Sequence, residues 1–387
     1  MNKGEMKRLG DYIREVDIRD RDLEVTKLLG VSISKEFMPS IANTIGTDMS
    51  SYKVVEPRQF AYGPVTSRNG DKVSIALYKD DEKAIVSQAY TIFEVKNKQE
   101  LLPEYLMMWF RRPEFDRYAR FKSHGSAREI FSWEEMCDVE LPIPPIEQQQ
   151  KIVFEYEAIT RRIRLNEQII TKLEKTAQTL YRKMFVDGID KEDLPEGWKI
   201  EKLGDYVELS QGVQVEVEKQ SLVKLKGYNR FIRIIDYTPN SSEPPRYVNI
   251  INERYFCTVN DIVIIRYGDA GTICRRLEGV IANNLFKVSP IKRLTCNYLY
   301  YFLRNEEIQK QIKNSAASST MPAITHSAIK NLDCLIPSSD IIKSFDDRAN
   351  VVEKKILLLQ NEICKLKELQ SLLLAKMGQK SKYYRHE

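Results

Sequence analysis

The stretch LPIPPIEQQQKIV, from Leu141 to Val153, lies well inside a chain of 387 residues. Pro142, Pro144 and Pro145 each lack an amide donor and fix φ, so no regular strand runs through them and no helix interior holds them. Pro145 suits a first helical turn, and Glu147 meets the positive end of a helix dipole. Beyond them the apolar residues recur at alternating steps of four and three: Ile152, Tyr156, Ile159, Ile163, Asn166, Ile170, Leu173, Ala177, Leu180 and Met184. That spacing is the a/d seam of a supercoiled helix. A compact domain therefore stops at the prolines and a long helix starts. Asn166 interrupts the apolar seam, a place where a polar residue can fix register at some cost in stability.

The same arrangement occurs twice. Lys7-Arg8-Leu9-Gly10-Asp11-Tyr12-Ile13 returns as Glu201-Lys202-Leu203-Gly204-Asp205-Tyr206-Val207, with Leu9 and Leu203 separated by 194 residues. Val139-Glu140-Leu141-Pro142-Ile143-Pro144 returns as Leu332-Asp333-Cys334-Leu335-Ile336-Pro337, shifted by 193. A second seam follows at the same shift: Phe345, Ala349, Val352, Ile356, Leu359, Ile363, Leu366, Gln370, Leu373 and Met377. Neither seam contains an interior Gly or Pro, and each predicts a helix roughly 55–60 Å long at 1.5 Å per residue. Ser338, Ser339 and Asp340 offer capping side chains to the second helix. A period this long is a duplicated domain plus connector, not a solenoid. The boundaries read as residues 1–144 for the first domain, 145–187 for the first helix, 188–337 for the second domain, 338–378 for the second helix and 379–387 for a basic tail.

Both domains are rich in short β-like runs. These include Lys72–Tyr78, Tyr90–Val95, Phe231–Ile235 and Asp261–Arg266, with Gly, Asn and Asp between them. Each domain also carries one helix-like segment, Glu104–Phe110 and Asn297–Leu303, again about 194 apart. The fold class is α+β, with two homologous domains and two long coiled-coil helices that pair with one another.

Composition narrows the function. Sixty Lys and Arg against 55 Asp and Glu give a net charge of +5, which permits an acidic partner without requiring one. Six scattered cysteines form no C-x-x-C pair, which argues against zinc ribbons and suits a reducing cytoplasm. The N-terminal segment lacks an apolar signal core, and no apolar run reaches membrane-spanning length. Phosphate-loop and dinucleotide-turn motifs are absent. Glu243-Pro244-Pro245-Arg246-Tyr247 has the wrong order for a methyltransferase Pro-Pro-aromatic motif and reads as a turn. Asp80, Asp81 and Glu94-Val95-Lys96 read as strand ends rather than a nuclease pattern. The three histidines, 124, 326 and 386, lack metal-ligand spacing. These absences argue against a stand-alone enzyme and against a metal site.

The Gly197-Trp198…Leu203-Gly204-Asp205 opening, the Pro144-Pro145-Ile146-Glu147-Gln148-Gln149 helix start and the duplicated plan together resemble the specificity (S) subunits of type I restriction-modification systems. Val86-Ser87-Gln88-Ala89-Tyr90 and Tyr255…Asp261-Ile262-Val263…Gly268-Asp269-Ala270-Gly271 resemble strand motifs of their target recognition domains. The resemblance implies that each domain reads one half of a bipartite double-stranded DNA target. It implies antiparallel helices that relate the halves by a pseudo-two-fold, set the spacer and dock two modification (methyltransferase) subunits. It also implies that restriction (translocase and nuclease) subunits join the assembly, and that S-adenosylmethionine is bound by the modification subunits. The second helix start, Ser338-Ser339-Asp340-Ile341-Ile342, departs from the Pro-Pro-x-x-Glu-Gln pattern. The competing reading is a coiled-coil scaffold with two protein-binding domains.

For DNA contact, loops that mix basic, small polar and glycine residues are the candidates, since phosphates take Lys and Arg while base edges take polar side chains. In the first domain these are Arg68, Asn69 and Lys72, and Lys122, Ser123, His124, Ser126 and Arg128. In the second they are Arg266 and Tyr267, Arg275 and Arg276, and Lys313, Asn314, Ser318 and Thr320. The helix-packing candidates are Ile152, Ile159, Ile163, Asn166, Ile170 and Leu173 on the first helix, and Val352, Ile356, Leu359, Ile363 and Leu366 on the second.

Overall fold

The computed structural model describes residues 6–40, 46–67, 70, 72–125, 129–239, 241, 243–316 and 323–378. The chain divides into two compact units, Met1–Leu165 with Ile363–Glu387, and Asn166–Glu362. Each unit holds one sheet domain and half of each long helix.

In the first unit the strands are β1 (Met6–Arg8), β2 (Ile13–Val16), β3 (Leu28–Val31), β4 (Phe37–Pro39), β5 (Lys53–Val55), β6 (Phe60–Tyr62), β7 (Ile75–Leu77), β8 (Ala84–Val86), β9 (Thr91–Val95) and β10 (Glu140–Pro142). Helices α1 (Pro103–Phe110), α2 (Pro113–Lys122) and α3 (Trp133–Cys137) precede the long α4 (Ile146–Phe185). The strands form a β1-β10 pair and two four-stranded sheets, ordered β2-β9-β6-β7 and β4-β3-β8-β5. The second unit repeats this with β11 (Lys199–Lys202), β12 (Val207–Gln211), β13 (Asn229–Ile232), β14 (Arg246–Val248), β15 (Phe256–Cys257), β16 (Ile262–Ile265), β17 (Ile273–Cys274), β18 (Gly279–Ile281), β19 (Leu285–Pro290) and β20 (Asp333–Ile336). Its helices are α5 (Cys296–Leu303), α6 (Glu306–Ala316), α7 (His326–Lys330) and the long α8 (Ser339–Met377). Its sheets are β11-β20, β12-β19-β16-β17 and β14-β13-β18-β15, the same orders strand for strand. The parallel strand pairing is shared too, β3 with β8 and β13 with β18.

The repeated Leu-Gly-Asp motif now has a cause. A Cβ on Gly10 would lie 2.8 Å from Cys137 Cβ, and one on Gly204 would lie 3.0 Å from Lys330 Cβ. Only glycine lets the turn after the first strand approach α3 in one copy and α7 in the other. The helix-like segments are the central helices. Seven of the eight residues of α1 are buried, as are seven of the eight in α5. A helix apolar on every side has no place except a core. Around α1 the rings interlock: Phe60 stacks on Phe93 at 4.8 Å and Phe110 meets Phe60 edge-on at 5.8 Å.

One expected strand is shorter than its sequence. The run Phe231–Ile235 ends as a strand at Ile232 and turns into a 3-10 helix at Ile234–Tyr237. Asp236 causes this, because its carboxylate accepts from Arg233 N at 2.9 Å and Arg233 Nε at 3.1 Å, and pairs with Arg230 at 3.2 Å. A local carboxylate that satisfies backbone donors competes with the ladder.

The long helices keep their seams. Every seam residue from Ile152 to Met184 and from Phe345 to Met377 is buried or half-buried. Within the first unit Gln370 Nε2 donates to Thr160 Oγ1 at 2.6 Å, and Val153, Tyr156, Leu374 and Met377 share the domain core. Within the second, Tyr181 packs on Phe345 at 5.9 Å, and Ala177, Phe185 and Ala349 join the domain core. In both units the start of one helix lies beside the end of the other, so the pair is antiparallel. Asn166 is 1% exposed, and its Nδ2 has no hydrogen-bond partner among the described residues.

The quoted stretch resolves at Gln149, which is fully buried. Its Nε2 donates to Glu100 O at 2.7 Å and Pro144 O at 2.8 Å, and its Oε1 accepts from Leu102 N at 2.9 Å. One amide thus satisfies three backbone groups and ties the first turn of α4 to the turn that starts α1. In the second copy Ile342 stands at this place. The tie is made instead by Thr295 Oγ1 to Asp346 Oδ1 at 2.9 Å and Asn297 Nδ2 to Asn350 Oδ1 at 2.8 Å. Replacing Gln149 with Met leaves three backbone groups unsatisfied at about 1–3 kcal/mol each before relaxation. Urea unfolding of Gln149→Met is expected to show a loss of about 2–4 kcal/mol, while Gln150→Ala, at an exposed neighbour, stays within about 0.5 kcal/mol.

Candidate nucleic-acid interface

In the first domain the two predicted loops meet. Thr66 N donates to Glu129 O at 2.9 Å, and Phe131 N to Pro64 O at 2.9 Å. His124 and Ile130 exchange backbone hydrogen bonds at 3.1 and 2.9 Å. The buried Thr66 hydroxyl donates to Ser123 Oγ at 3.0 Å, and Ser123 Oγ to Ala119 O at 2.7 Å. Ser123 therefore holds the loop in place. Lys122 and His124 both face Glu135, at 3.4 and 3.7 Å, with His124 largely exposed. Lys72 is half-buried beside the well-buried Lys35–Asp116 pair, 2.8 Å apart. Arg68, Asn69, Ser126 and Arg128 lie outside the described residues.

The second domain builds the same junction. Tyr267 bridges Ala323, and Ile324 N donates to Arg266 O at 3.0 Å, at the fold position of the Val65–Ile130 bridge and the Phe131–Pro64 bond. Arg266 lies over the Tyr267 ring at 4.9 Å. His326 packs edge-on against Phe286 at 4.9 Å. Burial first, then the positive charges of Arg266 and Lys330, lower its pKa, so the imidazole is neutral at pH 7. Lys313 and Asn314 are exposed at the end of α6. Ser318 and Thr320 lie outside the described residues.

Arg275 and Arg276 correct the expectation placed on them. Both are buried, with side chains 3% and 6% exposed. Arg276 grips Glu353 on α8 through Nε at 2.9 Å and Nη2 at 3.1 Å, and its Nη1 pairs with Glu174 on α4. Arg275 Nη1 lies 3.6 Å from Glu353 Oε1, and Tyr301 donates its hydroxyl to the same oxygen at 2.6 Å. The guanidinium groups of Arg275, Arg276 and Arg304 sit 5.1, 5.7 and 5.1 Å from the Tyr300 ring. Two adjacent arginines in a loop look like a surface patch in sequence. Their carboxylate partners are Glu353, 77 residues from Arg276, and Glu174, 102 residues away, so no local signal marks the pairing. They fasten the second domain to the helices.

Within the candidate loop Arg120–Arg128 the fold also exposes an aromatic side chain. Phe121 is 81% exposed at the end of α2, beside Lys122. An aromatic between two basic residues, Arg120 and Lys122, was the signal available. Among nucleophile candidates, burial pushes the Cys257, Cys274 and Cys334 thiols up to about 12, so they are neutral thiols at pH 7. No helix among the described residues is long and apolar enough to cross a membrane.

Two copies of one sheet domain, each with a joined loop pair and each fastened to an antiparallel helix pair, define a duplicated, helix-linked protein. Comparison with known proteins makes the class specific. The family described as "Type I restriction modification DNA specificity domain" matches residues 38–175 and 195–366. The chain belongs to that family. It is 25% identical to the type I restriction enzyme MjaIX specificity subunit of Methanocaldococcus jannaschii, over 72% of this chain and 69% of that one. It is 21% identical to the type I restriction enzyme HindI specificity subunit of Haemophilus influenzae, over 87% and 89%. The crystal structure of a type I restriction-modification system S subunit from M. genitalium shares the fold, with a TM-score of 0.59, 13% identity and coverage of 98% and 97%.

The charge network carries a stability prediction. Burial pushes the Glu353 carboxyl upward, but Arg276, Arg275 and Tyr301 outweigh it and hold its pKa below the ordinary value. Its contribution is present above about pH 4.5 and is lost as pH falls through the lowered folded value. Arg276→Ala is expected to cost about 3–5 kcal/mol in denaturant unfolding, because it strands a buried carboxylate. Glu353→Gln should be less stable at pH 7 and show a shallower fall in stability between about pH 5 and 3.

Proposed function

We propose that this chain is the DNA specificity subunit of a type I restriction-modification enzyme, reading a bipartite target with one half-site per domain. The single observation that carries the reading is the duplicated loop junction, Pro64–Thr66 against His124–Phe131 and Arg266–Tyr267 against Ala323–His326. A recognition surface assembled twice on one frame, with different side chains each time, suits two different half-sites. Family membership supplies the DNA.

In this reading residues 1–144 and 188–337 are the recognition domains, and 145–187 and 338–378 are the spacer helices. The helices dock two modification subunits, and restriction subunits join the assembly. Phe154, Val351, Leu358 and Leu372 support docking, since these large apolar side chains on the long helices are 75%, 69%, 65% and 60% exposed. Binding of S-adenosylmethionine, adenine methylation and DNA cleavage belong to the partner subunits. The chain itself is non-catalytic and works in the cytoplasm.

Methylome sequencing of the host with and without the gene tests this. A split, adenine-methylated motif should vanish on deletion. In the complemented strain Arg266→Ala should relax or abolish one half of that motif, at about 1–3 kcal/mol for a lost base-edge contact, and leave the other half intact. A methylome unchanged by deletion would overturn the proposal and favour the scaffold reading.

A further inference from the structure

The second domain holds a groove that the loop pairs do not account for. It opens over the exposed face of β12 and β19, encloses about 520 Å³, and its polar lining is Glu208, Ser210, Arg254, Lys287, Ser289 and Lys330. Three elements bring its cations together. Lys287 projects from β19, where it is paired in register with Ser210 of β12. Arg254 comes from the 3-10 turn Glu253–Tyr255, whose backbone carbonyl accepts from Ser210 Oγ at 3.0 Å. Lys330 ends α7.

The charges in this groove are poorly neutralised. Lys287 Nζ donates to Phe256 O at 2.7 Å, which fixes its position and leaves two of its three protons free. Among the described residues none of Arg254, Lys287 and Lys330 makes an ion pair, and Glu208 is the groove's single acid. The matching place in the first domain is already filled. By strand register Arg14 and Glu94 stand where Glu208 and Ser289 stand, and they form a 2.5 Å ion pair. Ile92 and Val16 take the places of Lys287 and Ser210, and Ile92 is fully buried. The cationic groove is thus a property of the second domain alone.

The groove also adjoins the recognition loops. α7 runs from His326, beside Arg266, to Lys330 at the groove, a rise of about 6 Å over four residues. DNA advances about 3.4 Å per nucleotide along one strand, so the rise from His326 to Lys330 corresponds to about two nucleotide steps.

We propose that Arg254, Lys287 and Lys330, with the hydroxyl of Ser289, bind backbone phosphates of the DNA strand that flanks the half-site read by the second domain. The assignment rests on the specificity-subunit reading for its ligand and extends it to a sequence-independent contact. Ammonium, guanidinium and hydroxyl donors around an open groove match phosphate oxygens, and they carry no base information. The contact anchors one half-site more firmly than the other, because the first domain's equivalent cations are absent.

The test uses the chain assembled with the modification subunits of its own system, and labelled duplexes carrying either the methylome-defined motif or a scrambled one. Binding is measured from about 50 to 300 mM salt for the wild type, for Arg254→Gln/Lys287→Gln, and for Lys79→Gln as a surface control in the first domain. Losing two phosphate contacts should reduce the slope of log K against log salt by about 1.8 on both duplexes. The preference for motif over scrambled DNA, and the methylated sequence, should not change. An unchanged slope overturns the groove assignment, as does a changed methylated sequence, since the side chains would then be reading bases. If the wild type shows no motif preference but the slope still falls, the groove stands and the specificity reading fails. Methylation of the motif by the variant at low salt shows that it is folded.

Discussion

The joint between each sheet domain and its long helix is the constraint on which the rest depends. A helix some forty residues long amplifies any angular slack at its start. The strand before α4 must end at its prolines, and the direction of the helix beyond them is set by what its first turns bond to. In the first copy a single buried amide, Gln149, closes three backbone groups at once. Such a group is stiff because each bond it makes restricts the other two. Losing it would leave the peptide groups of Glu100, Leu102 and Pro144 without partners in a place water does not reach.

The two copies solve the same mechanical problem with different chemistry. Where the first uses Gln149, the second uses the Thr295–Asp346 and Asn297–Asn350 pairs. Beyond these, the second adds the buried Arg276–Glu353–Glu174 network, which touches both long helices and α5. In the first copy Met107 and Met108 occupy the places of Tyr300 and Tyr301, and Thr160 that of Glu353. A small cleft of about 50 Å³ remains there, lined by Met107, Met108, Arg111 and Thr160 among others. Buried charge networks offset much of their own attraction through desolvation, so this one is better understood as a device for position than for net stability. Arg276 supports that view. It adopts a left-handed φ of 73°, a conformation costing about 1–3 kcal/mol that persists because its partners hold it. The second domain is consequently clamped at a defined angle by buried directional bonds, and the first by apolar packing, one buried amide and the exposed Lys79–Glu157 ion pair.

The sheets and the loops divide the labour. Strand order and the β3–β8 and β13–β18 parallel pairings are shared by the two domains, because the central strands β6 and β16, buried at every position, tolerate little change. The surfaces differ freely. Arg14–Glu94 in one domain and Glu208–Ser289 in the other sit at the same rung of the same ladder, one neutralised and one open. A frame that stays fixed while its polar surface varies is what a protein needs to read different ligands with one fold.

How much of this the sequence carried depends on the range of the interaction responsible. The duplication, the proline stop and both helical seams were legible, because period, φ restriction and i, i+3/i+4 spacing are local properties of the chain. The central helices α1 and α5 were legible from their unbroken apolar character. The joined loops were visible as two separate pieces in each domain, and the fold brought each pair together through backbone bonds no motif announces. Arg275 and Arg276 read as surface cations because their carboxylates lie 77 and 102 residues away in sequence. Gln149 looked like an ordinary helix-start residue until three backbone groups converged on it. The groove of Arg254, Lys287 and Lys330 exists only after strand register and α7 packing place three distant residues around one volume. Local sterics and periodicity fixed what the elements are; long-range pairing of charges and buried amides, which only the folded chain can assemble, decided which side chains stay open to solvent and which hold the frame.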